Sequence, residues 1–167
     1  ICDGFIYRIL CVADSVFLPL KEFIGLPGEL QIVTDRGELR SLSGIVTQAA
    51  AGESDGSLAT YQLVLQDAMA IMEKRVNTRV FRSKSELDIV ETLVSEWRER
   101  SPIIRSSLNL HIDAALASRG LPKREFTMQH NETDAAFVRR LLKRRGIAWY
   151  FANGNPRQDA SAEEDAG

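Results

Sequence analysis

Residues 131–151 read NETDAAFVRRLLKRRGIAWYF, and this stretch contains a complete helix with both its ends marked. Asn131, Thr133 and Asp134 offer short side-chain acceptors for the free N–H groups of a helix start, and Glu132 and Asp134 place negative charge near the positive end of the dipole. At roughly 100° per residue, Phe137, Val138, Leu141 and Leu142 fall on one arc, with Arg139, Arg140, Lys143 and Arg144 on the opposite one. The spacing predicts a core-facing helix with a basic outer face. Gly146 follows as a left-handed stop, and Ile147, Trp149 and Phe151 then alternate with Ala148 and Tyr150 as a strand would.

Upstream, the same kind of punctuation recurs. Residues 4–10 and 11–18 are apolar-rich and read as two strands. Leu26-Pro27-Gly28 reads as a breaker, after which residues 29–35 alternate, turn at Asp35-Arg36-Gly37-Glu38 and return over 39–47 as a hairpin. Residues 49–57 (AAAGESDGS) have the composition of an exposed loop, and 60–66 (TYQLVLQ) alternate again. The period then changes. Residues 67–75 carry good helix formers behind Asp67, and 76–81 form a brief extended piece. Ser83-Lys84-Ser85-Glu86 has the spacing of a capping box, and Leu87, Val90, Val94 and Trp97, widened by Ile89 and Leu93, make 85–100 an amphipathic helix. Ser101-Pro102 ends it. Leu108, Leu110 and Ile112 alternate like a strand, 114–118 resemble a short helical turn, and 124–129 alternate once more. The fold class is α+β: an antiparallel sheet or barrel carrying two or three helices.

Bulk composition sets the frame around these elements. The 167 residues and 44% hydrophobic content suffice for one ordinary globular domain. With 21 basic against 23 acidic residues, the whole-chain charge argues for neither nucleic acid nor an anionic membrane as partner. The charge is instead local. Residues 131–150 carry five basic groups against two acidic, whereas 155–167 carry Arg157 against Asp159, Glu163, Glu164 and Asp165. No large apolar residue follows position 152, so 154–167 are expected to form a mobile acidic tail beyond a single domain at 1–153. No apolar run reaches the ~20 residues of a membrane-spanning helix. Ile1 is not a methionine, so the chain is expected to lie within a longer reading frame whose product is made in the cytoplasm.

Signals for chemistry are sparse. Cys2 and Cys11 form no C-x-x-C pair and read as reduced thiols. His111 and His130 lie nineteen positions apart on different elements, without a zinc-ligand spacing. Ser41-Leu42-Ser43-Gly44 lacks the leading glycine of a nucleophile elbow, and no glycine-rich phosphate loop occurs. Acidic pairs such as Glu53/Asp55 and Glu163/Glu164 sit in polar segments where carboxylates are ordinarily solvated. Trp97 and Trp149 fall on apolar faces and read as packing residues. Accordingly no catalytic, cofactor-binding or metal-ligating residue is assigned. The basic face of Arg139, Arg140, Lys143 and Arg144 reads as solvated, with ion pairing to a neighbouring subunit as its functional version. In a different class of reading, the same face would hold an anionic substrate of a small enzyme.

Several stretches, in order and together spanning about residues 7–153, resemble the N-terminal, baseplate-hub-like region of the VgrG spike proteins of the type VI secretion system. Leu26-Pro27-Gly28 with its hairpin is similar to the family's "LxGxxV", Leu42-Ser43-Gly44-Ile45-Val46-Thr47 to "FHGIVT", and Tyr61-Gln62-Leu63-Val64-Leu65 to "YRLTL". Thr78-Arg79-Val80-Phe81 with Lys84-Ser85 and Asp88-Ile89-Val90 resembles "SRIFQDKS...DIV". The most specific likeness is Glu132-Thr133-Asp134 through Phe137-Val138, Leu141-Leu142, Gly146-Ile147 and Tyr150-Phe151, which resembles "RETDxxFVxRLLExEGIxYFF". Where that family usually carries glutamates before the glycine, this chain has Lys143, Arg144 and Arg145.

The resemblance implies a sheet or barrel of the phage baseplate hub type and a structural, non-enzymatic role. It implies a homotrimer that caps a hexameric tube of Hcp protein beneath a membrane-puncturing needle and is secreted with the spike. A tail hub of a contractile phage or tailocin is the alternative within the same lineage. It also implies a hairpin partner for 147–151 beyond the acidic segment, so that this strand is expected to present an unpaired or intermolecularly paired edge.

Overall fold

The computed structural model describes residues 1–15 and 17–152. It divides into two compact units: a sheet unit built from Phe5–Gln66 with Phe151, and a helical unit built from Ile1–Gly4 with Asp67–Tyr150. The expected acidic tail lies outside the described residues.

In the sheet unit, β1 (Ile6–Ala13), β2 (Pro27–Val33), β3 (Leu39–Ser54) and β4 (Ala59–Gln66) form one antiparallel sheet in the order β1-β4-β3-β2. A single helical turn, α1 (Leu20–Phe23), joins β1 to β2. The two strands expected over 4–18 are one, β1, because its whole length from Ile6 to Ala13 finds partners on β4 from Gln66 to Ala59. Pro27 does not break the sheet either. It is the first residue of an edge strand, where a missing N–H costs no ladder bond.

The largest departure is β3, which continues through residues 49–54 where a loop was expected. The small residues suit the pairing: a Cβ added at Gly52 would lie 2.4 Å from Thr60 Oγ1 on the neighbouring strand, so any larger residue there would force the Thr60 side chain to move. Two register shifts, at Val46/Gln48 and Ala51/Ser54, let the sixteen-residue strand bend as it goes. The buried side chains of this unit are Ile45, Val46, Ala59, Tyr61, Val64 and Leu65. Tyr61 uses its polar end as well, donating to the Ser15 carbonyl at 2.7 Å.

The helical unit carries α2 (Met69–Met72), β5 (Val76–Lys84), α3 (Glu86–Arg100), α4 (Pro102–Ser107), α5 (Ala114–Arg119), β6 (Arg124–Thr133) and α6 (Asp134–Arg145). Among the described residues α3 and α6 are the two long helices and the other four are one- or two-turn pieces; α2 and α5 fall within the short helical stretches expected near 67–75 and 114–118, whereas α1 and α4 left no periodic signal. The long helices fall where the periodicity puts them. The capping box of α3 lies two residues later than the Ser83–Glu86 spacing suggests: Ser85 accepts from Asp88 N–H, and the Asp88 carboxylate accepts from Ser85 N–H at 2.8 Å. Ser83 lies in β5 with a φ of 52°. Pro102 both ends α3 and opens α4 at its first turn, as its fixed φ and missing N–H favour. No strand forms over 108–112, where the chain runs between α4 and α5.

β5 and β6 pair antiparallel as a two-stranded ribbon. Ile89, Leu93, Ile104, Phe137 and Leu141 form the apolar interior of the unit, with Phe81 stacked on Phe137 at 5.8 Å between ring centroids. Residues 147–151 keep their expected alternation of half-buried and exposed side chains but join neither sheet, and Cys2 N–H donates to the Trp149 carbonyl at 2.7 Å.

Candidate functional site

Helix α6 brings together the residues that the sequence singles out. Thr133 is its cap, accepting from Ala136 N–H at 3.1 Å, and Gly146 ends it at a φ of 65°. Phe137, Val138, Leu141 and Leu142 are all buried. Asn131 is not a capping residue. It takes a φ of 46° at a bulge where two residues of β6, His130 and Asn131, oppose Thr78 of β5, and its N–H is received by Thr78 Oγ1 at 3.0 Å. The bulge redirects the chain so that Asp134 enters the interior.

Asp134 is wholly buried and is the centre of a polar network that was not foreseen. Arg75 Nε donates to Oδ2 at 2.6 Å and Trp97 Nε1 to the same oxygen at 2.9 Å. Asn77 Nδ2 and Gln129 Nε2 donate to Oδ1 at 2.9 and 2.8 Å. Outside this shell, Glu96 receives Arg79 at 2.8 Å and Arg75 at 3.3 Å, Gln129 Oε1 accepts from Arg79 Nε, and the Arg75 guanidinium lies 4.7 Å over the Trp97 ring. Burial pushes the Asp134 carboxyl up. The bonds from Gln129, Asn77, Arg75 and Trp97 outweigh that and hold it below its ordinary value.

Its four side-chain donors are Arg75 just ahead of β5, Asn77 on β5, Trp97 on α3 and Gln129 on β6, so this carboxylate ties three elements to the start of α6. A saturated, inaccessible carboxylate has no free lone pair with which to act as a base, so it is a lock rather than a reactive group. The signal present in the sequence was the alternation Arg75, Asn77, Arg79, which puts polar side chains on the inward face of β5 and leaves Val76 and Val80 exposed.

A second buried carboxylate anchors the other end of α6. Glu86 lies between Arg124 Nε at 2.9 Å and Arg145 Nε at 2.8 Å. Burial raises its carboxyl, and Arg145, its own backbone N–H and Arg124 together bring it below the usual value. Arg145 is therefore structural.

The basic outer face divides in two. Arg139 is paired with Glu73, and Arg140 is paired with Glu132 and lies 5.0 Å over the Phe137 ring. Lys143 and Arg144 are exposed, with no ion-pair partner among the described residues. His111, in the connection between α4 and α5, and His130, on β6, are both exposed. No group of three or more His, Cys, Asp or Glu side chains among the described residues is placed to hold a metal ion. Cys2 and Cys11 are free thiols, Cys2 exposed and Cys11 half-buried.

In the helical unit α3 and α6 are locked to the ribbon by buried ion pairs, and the sheet unit is a bulged antiparallel sheet. The chain belongs to the phage tail baseplate hub (GPD) family, whose model matches residues 1–159. It is similar to the type VI secretion system spike protein VgrG1b of Pseudomonas aeruginosa, with 26% identity over 153 residues, covering 92% of this chain and 19% of the relative. It is likewise similar to the spike protein VgrG3 of Vibrio cholerae, with 26% identity over 148 residues, covering 89% of this chain and 14% of the relative. Among solved structures it shares the fold of the E. coli c3393 protein, at a TM-score of 0.66 and 22% identity over 84% of this chain and 36% of that one. That protein is described as a type VI secretion component similar to the T4 bacteriophage tail proteins gp27 and gp5. The chain spans about a fifth or less of the length of these curated relatives. No described helix is long and apolar enough to cross a membrane.

Proposed function

We propose that this chain is the hub segment of a type VI secretion spike: residues 1–153 form part of a hub region that trimerises, docks on the hexameric Hcp tube and supports a membrane-puncturing needle for effector delivery. On this reading it is made in the cytoplasm, assembled on the secretion baseplate and secreted with the spike, and it performs no catalysis. The observation that carries the reading is the family match over residues 1–159, joined by spike relatives that align across nearly the whole chain. The packing supports it, because the buried carboxylates Asp134 and Glu86 are engaged by neighbouring cations and donors and thereby spent on rigidity.

A tail hub of a contractile phage or tailocin would use the same scaffold, and the needle-bearing remainder of the parent protein distinguishes the two. The enzyme reading is disfavoured by the engagement of Arg139 and Arg140 with Glu73 and Glu132, which leaves Lys143 and Arg144 as the cations for an anionic substrate. Light scattering of the chain, alone and mixed with its tube protein, tests the proposal. A trimer mass and a complex with the tube protein are expected. A monomer that ignores the tube protein, even when joined to its parent's next domains, overturns it.

A further inference from the structure

The end of α6 runs into a stretch with little hold on the interior. From Lys143 to Tyr150 no side chain is buried, whereas Leu141 and Leu142 just before it are. Ile147 and Trp149 are half-buried, and the stretch joins neither sheet. Its backbone is tied where Gly146 N–H donates to the Leu142 and Lys143 carbonyls, Ile147 N–H to the Leu142 carbonyl, and Cys2 N–H to the Trp149 carbonyl. Burial of apolar surface scales with the area removed from water, so this stretch gains far less from it than the body of α6 does.

Arg145 reaches from this stretch to Glu86, which is wholly buried in the first turn of α3. Glu86 Oε1 accepts from Arg124 Nε at 2.9 Å, while Oε2 lies 2.8 Å from Arg145 Nε but off the line of its N–H, so the second contact is chiefly ionic. The two arginines differ in what else holds them. Arg124 belongs to β6 and is laddered opposite Lys84, whereas Arg145 makes no second ion pair among the described residues. The other charges nearby are engaged elsewhere. Lys84 of β5 and Lys123 act on Asp88, which accepts from Ser85 N–H, and Arg105 of α4 donates to the Arg98 and Glu99 carbonyls.

We propose that residues 143–150 form a strap latched by the Arg145–Glu86 pair, which opens when Glu86 loses its charge while the body of α6 and the ribbon stay folded. A neutral Glu86 leaves Arg124 and Arg145 facing each other without a counter-charge. Arg145, already in partial contact with solvent, is the one free to leave, and residues 146–150 leave with it. Burial raises the Glu86 carboxyl, and Arg145, its own backbone N–H and Arg124 bring it below the ordinary value. The latch is therefore closed above the ordinary carboxyl range and opens as pH falls through the lowered value. The inference stands independently of the spike reading.

The test is amide hydrogen exchange on the whole chain at neutral pH. Glu86→Gln, which keeps the shape of the protonated group, should speed exchange at Gly146 and Ile147 roughly tenfold or more, with residues 138–141 and β5 within about twofold of the unaltered chain. Arg145→Gln leaves Glu86 its pair with Arg124, so it keeps the fold even where Glu86→Gln does not, and should open the same two amides. Arg124→Gln keeps the latch and should leave them closed. In the unaltered chain both amides should lose protection, relative to intrinsic exchange, as pH falls below the ordinary carboxyl range, and in Arg145→Gln that pH dependence should vanish. Gly146 and Ile147 as protected in Arg145→Gln as in the unaltered chain, or opened equally by Arg124→Gln, overturn the proposal. An opening that takes 138–141 and β5 with it to the same degree overturns it as well.

Discussion

The two units solve the problem of a sheet interior in opposite ways. In the sheet unit, Ile45, Val46, Val64 and Leu65 are buried in the usual manner, and the carboxylate held low by its surroundings, Asp55, sits in a surface turn under the N–H groups of Leu58 and Ser57. In the helical unit the ribbon turns Asn77, Arg79, Thr127 and Gln129 inward; Asn77 and Gln129 donate to the wholly buried Asp134, and Arg79 donates to Gln129. Apolar burial stabilises without direction, whereas a buried ionic network fixes the angle between the elements that supply its members. A scaffold whose helices must hold their orientation under load is better served by the second arrangement.

Breaking that contrast should be most costly at Asp134. Asp134→Ala leaves two arginines without their buried partner and is expected to cost about 3–5 kcal/mol, read by urea unfolding. The matching lesion in the sheet unit, Ile45→Ala, opens a cavity and is expected to cost about 3 kcal/mol by the same measurement.

Acid sharpens the contrast without a mutation. Asp134 and Glu86 are held below their ordinary carboxyl values in the folded unit, so their contribution is complete above those ordinary values. It is lost as pH falls through the lowered folded values. Circular dichroism and amide exchange from about pH 5 downward should show β5, β6 and α6 losing protection across that window. Salt bridges that stayed intact in exchange at about pH 2 would contradict the assignment.

Smaller effects belong to the helix ends and the surface. Ser85→Ala removes one half of the capping box and should cost about 1 kcal/mol. Arg139→Ala, which breaks a pair with half-exposed Glu73, should cost less than about 1 kcal/mol and become neutral in high salt.

How much of this was legible in the sequence follows from how local each signal is. Helix α6, its Thr133 start and its Gly146 stop are encoded within a few residues and were read correctly, as were the β2–β3 hairpin and the body of α3. The course of β3 through Ala49, Ala50 and Ala51 was not, because small residues look like a loop until Thr60 is known to lie against Gly52. The Asp134 network was hidden for the same reason. Asp134 reads locally as a helix-start charge, while its donors Arg75, Asn77 and Trp97 stand 59, 57 and 37 positions away. The role of Arg145 left no local sign, because its partner Glu86 lies on another helix. The alternation over 147–151 was real in burial, yet pairing depends on what the strand meets, which its own letters do not state.

The most direct test is amide hydrogen exchange on Asp134→Asn at neutral pH, a change that keeps the shape and removes the charge. The account predicts that protection falls together in β5, β6 and the first turns of α6, the elements that meet at this carboxylate. If those three segments keep the protection of the unaltered chain, the buried charge is not what holds them, and the central claim fails.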